Sequence, residues 1–203
     1  MNAAMSRLSR LFTLPSIRTL FRTRRTLNAA RLEARDHGEA LALVQASAER
    51  GDNVGQDEFP ADLASFSNFL GRSEALALRN VSTGSLETLL LVTPCKPARS
   101  VAPTVCTMYV ITTPACGGRQ IWADVAQLGE QWVREGLEAG PGRYSAVTQL
   151  VFVHCVERLM AAREAGFLVT ACIPLAGQLS GHPGYTASYV LYKDLGIEPL
   201  AVS

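Results

Sequence analysis

The stretch "TPACGGRQIWADVAQLGEQW", residues 113–132, decides how the chain is read. The preceding run, "TVCTMYVIT" (104–112), is β-branched and aromatic, which marks a strand. After the glycines, Ile121, Val125, Leu128 and Trp132 recur at steps of 4, 3 and 4, the apolar stripe of a helix expected from about Gln120 to Ala139. Gly117 and Gly118 therefore lie where a strand ends and a helix begins. Such a turn presents free backbone N–H groups, and the helix's unpaired amides and partial positive charge point the same way, as an anion requires. A glycine pair there also serves as plain punctuation. The phosphate fingerprints GxxxxGK[ST] and GxGxxG are both absent, which argues against a P-loop nucleotide hydrolase and a dinucleotide-binding dehydrogenase.

Working outward from the turn, residues 30–34 read as a short strand, and Asp36 with Glu39 as the start of a helix running to about Arg50. Pro60 at a first helical position, then Leu63, Phe66 and Leu70 with Gly71 as a stop, predict a second helix. Residues 74–79 and 86–93 are strands around the turn "NVSTG". A proline-rich connection, "PCKPARSVAP", leads back to the strand before the glycines. Beyond the long helix, 144–153 reads as a buried strand, and "CVERLMAAREAGF" as a helix closed by Gly166. Residues 167–173 and 185–192 close the chain as strands. The order βααβββαβαββ predicts a mixed α/β layer without repeats or a second domain.

Composition suits a packed core: 48% of the 203 residues are apolar and 18% charged. No apolar run reaches the ~18–20 residues of a membrane span, so stable insertion is not expected. Five cysteines (95, 106, 116, 155, 172) form no CxxC pair, which favours reduced thiols, and no metal site is expected. The first 30 residues hold six arginines and no acid, leaving 13 basic and 18 acidic residues in the rest, so no nucleic-acid footprint is expected. Within residues 1–29, Leu8, Leu11 and Phe12, and again Ile17, Leu20 and Phe21, share a helical face, with Arg18, Arg22 and Arg25 on another. An Arg-rich, Ser/Thr-rich, acid-free amphipathic segment predicts a mitochondrial transit peptide. A disordered tail, or a helix lying on anionic lipid, are the alternatives. Sequencing the mature N-terminus in cells decides between them. The organisation expected is an extension (1–29), a domain (30–195) and a short tail (196–203).

The element order, with "TPACGGRQIW" at the exit of the fourth strand, resembles the GCN5-related N-acetyltransferase superfamily over residues 30–194. Pro114, Gly118 and Ile121 match positions of its pyrophosphate loop, while Gly117, Gln120 and Trp122 replace the usual residues. "YSAVTQLVFVHCVERLMAAREAGF" is similar to the family's fifth strand, fourth helix and Gly-Phe, and the ending "IPLAGQLSGHPGYTASYVLYKDL" to that of fungal-type members. The resemblance implies strands four and five splayed apart with acetyl-CoA between them. Its arm would pair with the backbone of Val110 and Thr112, and its pyrophosphate would lie over Gly117, Gly118, Arg119, Gln120, Ile121 and Trp122. Arg119 would supply positive charge. It further implies direct attack of a small amine or amino-acid-like acceptor on the thioester, and admits a homodimer.

A base must take the amine proton, and a donor must assist the departing thiolate. His154, expected at the end of the fifth strand near the splay, suits the first role by its ordinary pKa. It also reads as a half-buried strand-end histidine. Glu58 lies in the loop before the second helix, which the resemblance places beside the acceptor; it also reads as a solvated acid. Members of the family often carry an Asn after strand five and a Tyr proton donor on the fourth helix. Cys155, beside the cofactor, and Ala162 hold those positions here. The resemblance therefore leaves two functions open, an N-acetyltransferase or an acyl-CoA-binding module of the same fold without turnover.

Overall fold

A computed structural model describes residues 27–52, 54, 58–95, 105–135, 144–178 and 185–196. The arginine-rich extension up to residue 26, most of the proline-rich connection and the end of the long helix's expected span lie outside them. Among the described residues seven strands form one sheet in the order β1-β2-β3-β4-β5-β7-β6. They are β1 (Leu27–Arg31), β2 (Glu74–Asn80), β3 (Leu86–Pro94), β4 (Val105–Thr112), β5 (Ala146–Phe152), β6 (Leu168–Gln178) and β7 (Tyr185–Asp194). Helices α1 (His37–Glu49) and α2 (Leu63–Leu70) precede β2, α3 (Arg119–Glu135) follows β4, and α4 (Val156–Glu164) follows β5. The order is βααβββαβαββ, the mixed α/β layer that the hydrophobic patterning predicts.

Alternation along the strands divides the core in two. On one face Leu90, Val92, Met108, Val110, Val147 and Leu191 pack under α3 and α4. On the other, Leu89, Leu91 and Ile111 pack under α1 and α2, with Phe66 fully buried among them. The stripe read on α3 faces inward as expected, with Ile121, Val125, Leu128 and Trp132 all buried. Gly129 lets α3 lie directly on β4, since an added Cβ would stand 2.3 Å from Met108 Sδ.

Several element ends differ from the sequence reading, each for a local reason. The first strand is Leu27–Arg31, three residues earlier than expected, because Leu27 is the side chain the core takes in. It thus begins inside the segment set aside as an extension. Helix α2 starts at Leu63, not Pro60, because Asp62 caps it by accepting the Ser65 N–H at 2.9 Å. Asp36 ends a short 3₁₀ turn before α1 and bonds Arg79 at 3.1 Å, while Glu39 bonds the same arginine at 2.7 Å. Those two acids tie α1 to β2 rather than capping it. The Arg79 hydrogen bond holds the Glu39 carboxyl below its ordinary pKa. Strands β6 and β7 extend beyond the segments expected, to Gln178 and Asp194. Gly166 closes α4 with φ +87°, a left-handed conformation that glycine adopts without strain.

Candidate functional site

β4 is antiparallel to β3 along its length but, among the described residues, pairs with β5 in parallel at three positions: Val105–Ala146, Cys106–Val147 and Thr107–Thr148. β5 stays paired with β7 along its whole length through Phe152, while beyond the seam its edge toward β4 is unpaired and the two central strands part. Hydroxyls brace the seam, with Thr107 and Thr148 Oγ1 atoms 3.1 Å apart and Thr148 Oγ1 donating to the Cys106 carbonyl at 3.1 Å. Above it lies a cleft walled by Met108 and Val110 on β4, Gln149 and Val151 on β5, Trp122 on α3, and Arg158 with Ala162 on α4.

Glu87, buried on β3, builds the turn at the mouth of this cleft. Its carboxylate accepts the Thr113 hydroxyl at 2.6 Å and the Cys116 thiol at 3.8 Å, and its carbonyl accepts the Thr113 N–H at 2.9 Å. Pro114–Cys116 makes one 3₁₀ turn and α3 begins at Arg119. Trp122 N–H bonds the Gly118 carbonyl at 3.0 Å, so the amides of Arg119, Gln120 and Ile121 precede the helical ladder. A Cβ on Gly118 would meet nothing within 4 Å, so the turn that leads into those amides is open at this residue. Arg119 pairs with Glu164 at the end of α4, and Gln120 donates to Asp124 at 2.9 Å. The positive charge expected from Arg119 is therefore already partnered.

The edge of β4 facing the cleft is partly engaged. Arg50, the residue after α1, donates to the Thr112 carbonyl at 2.9 Å and pairs with Asp52 at 2.8 Å. Arg158 donates to the Val110 carbonyl at 3.4 Å, with its guanidinium 3.5 Å from the centroid of the Trp122 ring. Val110 and Thr112, whose backbone the resemblance offers to a ligand's arm, thus have their carbonyls held by arginines from α4 and from the end of α1. Trp122 is buried at 5% exposure, making one wall of the cleft. Burial pushes the Arg158 guanidinium down to about 10, which leaves it cationic at neutral pH.

His154 and Cys155 stand where β5 gives way to α4. Gly51, in the left-handed region at φ +67°, turns its carbonyl toward both. His154 Nε2 lies 2.9 Å from that oxygen and Cys155 Sγ 3.9 Å. A carbonyl only accepts, so Nε2 carries the proton and the neutral ring keeps Nδ1 as its basic nitrogen. The ring stacks on Phe152 at 5.7 Å and is exposed, unlike the half-buried strand-end alternative. Glu58 instead acts on Tyr109, which lies on the α1/α2 face of β4. Burial raises the Tyr109 pKa, and the negative charge of Glu58 and a hydrogen bond to it add to the rise. His154 thus meets the loop after α1 and Glu58 meets β4. Among the described residues no group of His, Cys, Asp or Glu fits a metal ion, and no helix is long and apolar enough to cross a membrane.

Sequence reading singled out neither Arg158, Arg50 nor Glu87. Two of them leave a signal. Arg158 shares its helical face with Ala161, Ala162 and Ala165, a lone cation on an apolar stripe, and Glu87 is the one charged residue in a leucine-rich strand. Arg50 leaves none.

The sequence matches no known family profile and no curated protein. The structure does match solved folds. A protein assigned as a phosphinothricin N-acetyltransferase superposes with TM-score 0.67 at 15% identity, covering 83% of this chain and 98% of that one. Spermidine N-acetyltransferase from Vibrio cholerae, solved with CoA and spermine, gives 0.64 at 10% identity over 84% and 96% of the two chains. A GNAT-family acetyltransferase from Streptococcus pneumoniae gives 0.64 at 11% identity over 83% and 99%. With the splayed β4/β5 pair and the glycine turn at the head of α3, the chain has the fold of the GCN5-related N-acetyltransferases.

Proposed function

We propose that this chain binds an acyl-CoA in the β4/β5 cleft and transfers the acyl group to a small amine. The observation that carries the reading is the three-residue seam between β4 and β5, with the leading amides of α3 at the open end. The pyrophosphate lies over Gly117 to Trp122, where unpaired N–H groups and the helix's partial charge favour an anion. The arm enters between the strands and carries its thioester toward the seam.

The acceptor's nitrogen attacks the thioester carbon, the C–S bond breaks, and the amine proton passes to His154 Nδ1. Glu58 borders the acceptor's approach on the α1/α2 face. Ala162 in the cleft wall has no proton to give the leaving sulfur. At neutral pH a thiolate leaves without one more readily than an alkoxide would, because a thiol's ordinary pKa is about 8.5. The acceptor class follows from the neighbours only in outline, as a small amine of the kind their names indicate.

The same geometry supports a second reading, a module that holds the ligand without turnover. It is favoured by Ala162, which stands in the cleft wall where the resemblance expects a tyrosine and offers the leaving sulfur no proton. Isothermal titration with CoA and acetyl-CoA, followed by acetylation assays on spermidine, spermine and free amino acids, separates the two. Binding with turnover of at least one amine is expected. Binding without turnover selects the module. Absence of binding by CoA and its ester defeats both.

A further inference from the structure

We propose that the cleft selects an acyl donor whose acyl group ends in a carboxylate, with Arg158 as its counterion and Gln149 as a second donor. This rests on the acyl-CoA reading above.

A buried charge is ordinarily paired, because removing it from water costs several kcal/mol. Arg158 is 7% exposed, yet among the described residues no carboxylate forms an ion pair with it. Its five N–H groups find one carbonyl, Val110 O at 3.4 Å, long for a hydrogen bond, and one ring face, that of Trp122. The fields of Cys155 and, more weakly, Asp52 reach it, and Asp52 is already bonded to Arg50 at 2.8 Å. Across the cleft Gln149, also 7% exposed, has an Nε2 with no hydrogen-bond partner. Both side chains line the same cleft, together with the apolar side chains of Met108, Ala161 and Ala162. The cleft therefore holds surplus donors on two sides.

The contact with Val110 sharpens the choice of ligand. An arm that pairs with β4 must take the Val110 carbonyl from Arg158. A neutral acetyl group gives the guanidinium no comparable acceptor in return, and a buried donor stripped of its partner is costly. A dicarboxylic acyl group supplies the missing oxygen pair, in the planar geometry a guanidinium matches with two hydrogen bonds. The same ligand offers an acceptor to Gln149.

The test is calorimetric titration of the full chain with CoA, acetyl-CoA, succinyl-CoA and free succinate. Succinyl-CoA is expected to bind about tenfold tighter than acetyl-CoA, or more, the scale of one charge-assisted hydrogen bond. Arg158→Leu is expected to erase that difference and Arg158→Lys to keep part of it, with melting curves confirming that each variant folds. The wild-type ranking stands as a test even where a variant does not fold. If CoA binds but succinyl-CoA has no advantage, the carboxylate selection is wrong and the cofactor reading survives. A preference retained by Arg158→Leu also overturns it. Free succinate binding as tightly as succinyl-CoA places the anion off the acyl arm and overturns the assignment. If neither CoA nor its esters bind, the cofactor reading and this inference fall together.

Discussion

Gly118→Glu is expected to weaken CoA and acyl-CoA binding by about 100-fold while leaving the free protein as stable as before. The substitution puts a carboxylate on the open turn that leads into the Arg119, Gln120 and Ile121 amides. Against a pyrophosphate, a like charge costs several kcal/mol, and each ~1.4 kcal/mol is tenfold in affinity. Nothing in the unliganded fold opposes the change. Gly118 does not need a left-handed backbone, no atom lies within 4 Å of the new Cβ, and an acid at a helix start is favoured by the dipole. Titration calorimetry and a melting curve on the same preparation check both halves. Equal affinities for variant and wild type would mean that phosphates do not sit at this turn.

Phe66→Ala is expected to cost about 3–5 kcal/mol of stability, the range for deleting a buried aromatic ring. Phe66 is 0% exposed in the layer under α1 and α2, and stacks on Phe69 at 6.3 Å. For a domain of this size each kcal/mol moves Tm by roughly 2–4 °C, so a fall of about 10 °C is expected by calorimetry or circular dichroism. Phe59 and Tyr109 meet edge to face at 5.2 Å in the same layer, so the loss also loosens the wall that holds Glu58. A fall under about 3 °C would show that this layer is packed far less tightly than its burial indicates.

How much of this was legible beforehand follows from the range over which each feature is determined. Hydrophobic periodicity is local, so the eleven elements came in their correct order and the inward face of α3 was identified residue by residue. The glycine turn is local too. The cleft's chemistry is not. Arg158 meets Val110 from 48 positions away and Arg50 meets Thr112 from 62. Such pairings depend on the sheet's order, which no spacing in the chain encodes. Pro60 was mistaken for a helix start because its fixed φ fits one, and Asp62 prevailed by giving a backbone N–H a partner. The position of His154 just past β5 follows from local patterning, but its bond to Gly51 depends on a turn at the far end of α1.

The short seam between β4 and β5 also bears on mechanics. Three paired positions join the first four strands to the last three. Other ties across this divide are the core shared under α3 and α4 and ion pairs such as Arg119 to Glu164 and Lys193 to Glu130. A molecule lodged where the two strands part touches both halves of the sheet. Occupancy would then be felt as added heat resistance throughout the domain, since whatever binds the native form alone raises its melting point.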